Sequence, residues 1–140
     1  MSDAKPPFPS TFAVVLIDHR HARFFGAADG TRRLEERGHL EPDDPHGFHR
    51  HLEHRKEADY KGQRTPEADE FYERVAARLK TAAPIVLIGE GTGTSSALVH
   101  FRGYLNEKHK EIDENVVGAE RADLSHINLG EVEQIARRYA

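Results

Sequence analysis

At 140 residues and a formal net charge of −4, the chain can bury one sizeable core and lacks the bulk basicity of a nucleic-acid binder working through overall charge. Hydrophobic residues make up 37% and charged ones 31%, ordinary for a globular domain, and no run approaches the ~20 apolar residues of a membrane span. Cysteine is absent, which excludes disulfides, thiolate catalysis and cysteine-ligated zinc, and the opening MSDAKPPFPS lacks the apolar core of a signal peptide; together these point to a cytoplasmic protein with no membrane partner.

Residues 1–10, rich in proline, read as a flexible leader to a single domain over 11–140. Phe12-Ala13-Val14-Val15-Leu16-Ile17 is apolar on both faces, as a strand in the middle of a sheet should be. Asp18-His19-Arg20-His21 predicts a tight turn, and Ala22-Arg23-Phe24-Phe25-Gly26-Ala27 a second, antiparallel strand. Asp29-Gly30 is a hairpin signal, and a charged third strand at about 32–37 has the character of a sheet edge. A polar, histidine-rich insert follows over 39–64. Thr65-Pro66 then opens a helix, with Thr65 as N-cap and Ala68, Phe71, Tyr72, Val75, Ala76 and Leu79 on one apolar face.

Pro84-Ile85-Val86-Leu87-Ile88 predicts a central parallel strand, running through a glycine-rich turn into a helix with Leu98, Phe101 and Leu105 on one side. Val116-Val117-Gly118-Ala119 makes a fifth strand. Asn128 and Glu131 form a capping box for the last helix, with Ile127 and Val132 as its staple and Val132, Ile135, Ala136 and Tyr139 toward the core. The expected fold is therefore α/β: a five-stranded mixed sheet of order 3-2-1-4-5 with flanking helices.

Three stretches have residues suited to chemistry. In His46-Gly47-Phe48-His49-Arg50-His51-Leu52-Glu53-His54 an extended backbone puts His49, His51 and Glu53 on one face, and a helix pairs His51 with His54. Imidazoles so placed can take a divalent metal at His49, His51 and His54, but no known zinc spacing is matched. A solvated histidine strip is the preferred interpretation, with no cofactor implied. Gly89-Glu90-Gly91-Thr92-Gly93-Thr94 matches neither nucleotide-binding glycine pattern, and a turn needing φ > 0 accounts for it better. The third stretch carries Arg50, Arg55, Lys56, Lys61 and Arg64. Across 46–64 there are five Lys/Arg against three Asp/Glu, a local surplus of two in an acidic chain.

FAVVLIDHRHARFF, HLEHRK, PIVLIGEGTGTSSALVHFRGYL and the terminal EVEQIARRYA together resemble small stand-alone bacterial proteins known as translational machinery proteins. These are similar to the middle domain of the archaeal and eukaryotic peptide-chain release factor and of Pelota. The resemblance spans nearly the whole chain from Phe12 and implies a ribonuclease-H-like motif of the translational-machinery type. Release factors carry a Gly-Gly-Gln loop between the third strand and first helix, where the glutamine helps water attack the peptidyl-tRNA ester. Gly62 and Gln63 are the matching positions; Lys61 stands in place of the first glycine, and a left-handed backbone there would cost a lysine ~1 kcal/mol or more. The codon-reading and partner-binding domains have no counterpart in this sequence.

The leading expectation is a translation-associated module that binds ribosome or tRNA through the 39–64 insert, with Arg50, Arg55, Lys56, Lys61 and Arg64 as RNA contacts. One alternative is a hydrolase of an ester such as peptidyl-tRNA, with Gln63 and Gly62 positioning water and His51 or His54 as general base. A second is a metal-dependent activity at His49, His51 and His54. Because fold does not imply activity, catalysis stays open. The Phe24-Phe25 strand and the charged third strand also leave a sheet edge open to a homodimer.

Overall fold

The structure, a computed structural model, describes residues 8–19, 21–27, 33–41, 66–90 and 96–139. Its elements are β1 (Ala13–Ile17), β2 (Ala22–Ala27), β3 (Leu34–Leu40), α1 (Pro66–Ala77), β4 (Ile85–Gly89), α2 (Ala97–Lys108), α3 (Lys110–Asp113), β5 (Val116–Arg121) and α4 (Leu129–Arg137). The strands form one sheet in the order β3-β2-β1-β4-β5, as the element order predicts. β1 is antiparallel to β2 and parallel to β4; β2 is antiparallel to β3, and β4 parallel to β5. No helix among the described residues is long and apolar enough to cross a membrane.

The period-2 alternation of the strands divides the core between the two faces of the sheet. Val15, Ile17, Phe24, Ile85 and Leu87 pack with α1 and α2, where Phe71, Tyr72, Val75, Phe101 and Leu105 are buried. Val14, Leu16, Phe25, Val86 and Ile88 face the other way, onto Val132, Ile135 and Ala136 of α4. β1 and β4 are thus covered on both sides, which is why their sequences are apolar without interruption. Asn128 closes the predicted capping box: its Oδ1 accepts from the Glu131 N–H at 2.9 Å while the Glu131 carboxylate accepts from the Asn128 N–H at 3.2 Å. Ile127 and Val132 sit in the same apolar cluster, as a staple requires.

Several expectations need correction. Phe8 is buried in the α4-side core, so the leader stops short of it. β3 begins at Leu34 and continues to Leu40, taking in His39 and Leu40 that the sequence assigns to the insert. β2 is flanked on both sides, and Phe24 and Phe25 are buried; the sheet edges are β3 and β5. At Gly89 the glycine answers to space, since a Cβ there would stand 2.6 Å from Leu98 Cβ, rather than to φ > 0. The one-turn α3, anchored by buried Ile112, is not foreseen at all. Asp29-Gly30, Thr65 and residues 91–95 lie outside the described residues.

Between α1 and α2, Glu73 accepts from the Tyr104 hydroxyl at 2.5 Å and lies 2.7 Å from His109 Nε2. The hydrogen bond with His109, then that from Tyr104, holds the Glu73 carboxyl below its ordinary value. A depressed carboxylate contributes stability that is fully present above its unfolded pKa, roughly 4.3, and is lost as pH falls through the lower folded value. The side chain is 47% exposed, so screening keeps the contribution below about 1 kcal/mol. Glu73→Gln is therefore expected to lower the urea midpoint at neutral pH and to match the wild type as pH approaches 2; equal gaps at both would count against an ionic role.

Candidate functional site

β3 ends at Leu40 and α1 begins at Pro66, so the polar insert is rooted between them. Two successive antiparallel pairings make β3 parallel to β1, which brings the root to the carboxyl ends of β1, β4 and β5. Glu41, the last described residue before the insert, is fixed: its carbonyl accepts from Arg74 Nη1 of α1 at 2.7 Å. The β1–β2 turn sits beside it. Asp18 N–H donates to the His21 carbonyl at 2.9 Å, and His21 N–H to Asp18 Oδ1 at 2.6 Å. This turn puts the His21 ring between two carboxylates, 3.5 Å from Asp18 and 3.8 Å from Glu41.

A cavity of about 240 Å³ opens at this end, lined by Leu16, Asp18, His21, Arg23, Glu90, Leu124 and Ser125. Carboxyl ends of parallel strands are where open α/β sheets commonly take ligands. The charges here are largely committed to one another. Arg23 donates through two nitrogens to Glu36 at 3.0 and 3.1 Å, a pairing that holds the Glu36 carboxyl below its ordinary value. Glu90 accepts from the Leu124 N–H at 3.0 Å, which ties the end of β4 to the segment after β5.

At the rim, Asp123, Ser125 and His126 form a small network. Hydrogen bonds from Ser125, then His126, bring the Asp123 carboxyl down to about 2, so it is ionised at any physiological pH. The Ser125 hydroxyl and the Asp123 carboxylate both approach His126 Nδ1, at 3.1 and 2.7 Å. A nucleophilic triad needs hydroxyl and carboxylate on opposite ring nitrogens, so this trio is a turn-stabilising cluster and not a hydrolase centre.

The residues singled out from sequence, Gly62 and Gln63, Arg50, Arg55, Lys56, Lys61 and Arg64, and His49, His51 and His54, lie outside the described residues. Among the described residues no group of three histidine, aspartate or glutamate side chains is arranged to hold a metal ion. Sequence reasoning missed Asp18, His21 and Arg74, and took Glu90 only as part of a glycine-rich turn. For Asp18 and His21 the one signal was the polar run Asp18-His19-Arg20-His21 directly after a fully apolar strand. The Glu41–Arg74 tie links residues far apart in sequence and leaves no local trace.

No family model matches the chain, and no curated protein matches it. Among solved structures it is similar to Pelota of Archaeoglobus fulgidus, with 16% identity and a TM-score of 0.53 over 99% of this chain and 33% of that one. It also aligns with the archaeal translation termination factor aRF1 at 10% identity and a TM-score of 0.48, over 91% of this chain and 38% of that one. The chain thus spans about a third of the length of Pelota, and what it shares with that protein is the fold, in agreement with the resemblance read from sequence.

Proposed function

We propose that the chain is a translation-associated domain that binds the ribosome or tRNA through the 39–64 segment. The observation that carries this reading is topological. β3 ends at Leu40, α1 begins at Pro66, and the chain between them holds Arg50, Arg55, Lys56, Lys61 and Arg64. Release-factor middle domains carry their Gly-Gly-Gln loop in that same interval, with Gly62 and Gln63 as the matching positions here. The fold shared with Pelota over 99% of the chain supports comparing the two intervals. The anchored root at Glu41 and Arg74 gives the segment a fixed point of departure.

Cosedimentation with ribosomes over a salt series tests it. The wild type is expected to pellet with ribosomes at low salt and to be released as salt rises, because phosphate contacts displace counterions. A variant with Arg50, Arg55, Lys56, Lys61 and Arg64 all changed to alanine should stay folded by circular dichroism and lose the association. Absent or salt-insensitive cosedimentation, or a variant that pellets like the wild type, would overturn the reading.

A further inference from the structure

Toward the amino end of β1, away from the insert root, two guanidinium groups converge on one cleft. It measures about 490 Å³, and Thr11, Phe24, Gly26, Arg37, Arg78 and Thr81 are among the residues lining it. Arg37 is the extra residue of a β-bulge: Phe24 pairs with Gly38 and Phe25 with Glu36, leaving Arg37 between. Its Nη2 donates to the Ala27 carbonyl at 2.7 Å, and its Cγ and Nε pass 3.4 Å from where a Cβ on Gly26 would stand. Arg78, just past α1, stacks on Phe24 with its guanidinium carbon 5.2 Å from the ring centroid. Its Nη1 lies 2.7 Å from the place of a Cβ on Gly38, whose φ of 147° also requires glycine.

Two glycines on neighbouring strands therefore make room for two arginines on the α1 side of the sheet. Among the described residues neither guanidinium meets a carboxylate, whereas Arg23, Arg33, Arg102 and Arg138 each lie in ion-pair contact with one. In a chain with 24 acidic residues and a net charge of −4, two neighbouring cations without a carboxylate partner make a local positive patch on the surface. Gly26 and Gly38, over which the two side chains pass, are one strand and two residues apart, roughly 8 Å, a spacing that lets a tetrahedral oxyanion accept from both guanidinium groups. A guanidinium held over an aromatic ring keeps in-plane N–H groups with which to donate to an anion.

We propose that this cleft binds a phosphate group between Arg37 and Arg78, supplied as free phosphate or by a nucleic-acid backbone. Arg37 and Arg78 both lie outside the insert sequence, and the proposal stands whether or not the insert binds the ribosome. The test follows the arginine Nε–H resonances of the full, isotope-labelled chain while inorganic phosphate is added, and in a second arm a short single-stranded RNA. Saturable shifts of both Arg37 and Arg78 are expected. Saturation by RNA at lower concentration than by phosphate identifies the backbone as the source; saturation by phosphate alone identifies the free anion. Arg78→Ala should weaken binding roughly tenfold or more, the loss of a charge-assisted donor pair. Since Arg78 also packs on Phe24, Thr81→Glu serves as a second variant that sets a carboxylate at the exposed rim without touching the core, and it should abolish the shifts in a folded protein. No saturable shift with either ligand, or unchanged binding in both variants, would overturn the proposal.

Discussion

Gly89→Ala is expected to destabilise the domain by about 2 kcal/mol, a large fraction of the ~5–15 kcal/mol that holds a typical domain folded. The new methyl would stand 2.6 Å from Leu98 Cβ, 3.2 Å from its Cδ2 and 3.3 Å from its Cγ. Neither side can yield cheaply. Leu98 Cβ is fixed to the backbone of α2, which is pinned by fully buried Phe101 and Leu105. Gly89 itself is paired with Ile17 of β1 on one side and Arg121 of β5 on the other. Overpacking of this kind costs ~1–3 kcal/mol, and the smaller entropy of an unfolded chain with alanine returns only ~0.4–1 kcal/mol. A double-mutant cycle by chemical denaturation checks the cause. Leu98→Gly destabilises on its own by removing a buried side chain and loosening the first turn of α2, but it also removes the Cβ that stands 2.6 Å from the new methyl and should cancel most of the Gly89→Ala penalty, so the pair is less than additive. Strict additivity would mean that the contact with Leu98 is not the reason.

The glycine also shows where sequence reasoning reaches its limit. Strand identity and order were legible because each carries a local cue. Val14, Val15, Leu16 and Ile17 are apolar without alternation, as a doubly covered strand must be, and β3 has the charged pattern of an edge. The Asn128–Glu131 capping box is spelled out within four residues. What pairs distant residues was not legible. Nothing near Gly89 announces Leu98, nothing near Glu41 announces Arg74, and Arg37 and Arg78 share a cleft only because β3 bulges and α1 ends beside it. The candidate site divides in the same way. The helix that follows the insert could be read from Pro66, but the insert's start was misplaced because β3 runs on to Leu40, and the carboxylates and His21 gathered at its root depend on the sheet having formed. The α3 turn was missed because four residues with a single apolar side chain, Ile112, give no periodicity to detect.

Phe8→Ala is expected to cost about 3 kcal/mol, although the residue stands in a proline-rich stretch that reads as a leader. The stretch looks flexible because its prolines exclude helix and strand; exclusion from regular structure does not exclude burial. Phe8 is 2% exposed, its ring centroid is 5.1 Å from that of Phe12, and the Arg137 guanidinium carbon lies 3.9 Å over its face. It therefore closes the α4-side core at the point where Val132, Ile135 and Ala136 meet the sheet. Truncation to alanine removes the buried area and uncovers Phe12, terms that reach ~3–5 kcal/mol for a core phenylalanine, and the lower end applies because Phe8 lies outside the helices and strands, where the backbone can partly collapse into the gap. Phe8→Leu keeps most of the volume but loses the aromatic face, so the cation–π contact with Arg137 should appear as a residual loss of ~0.5–1 kcal/mol. Denaturation midpoints of the three proteins separate these contributions. A Phe8→Ala protein as stable as the wild type would return the residue to the leader and remove it from the core.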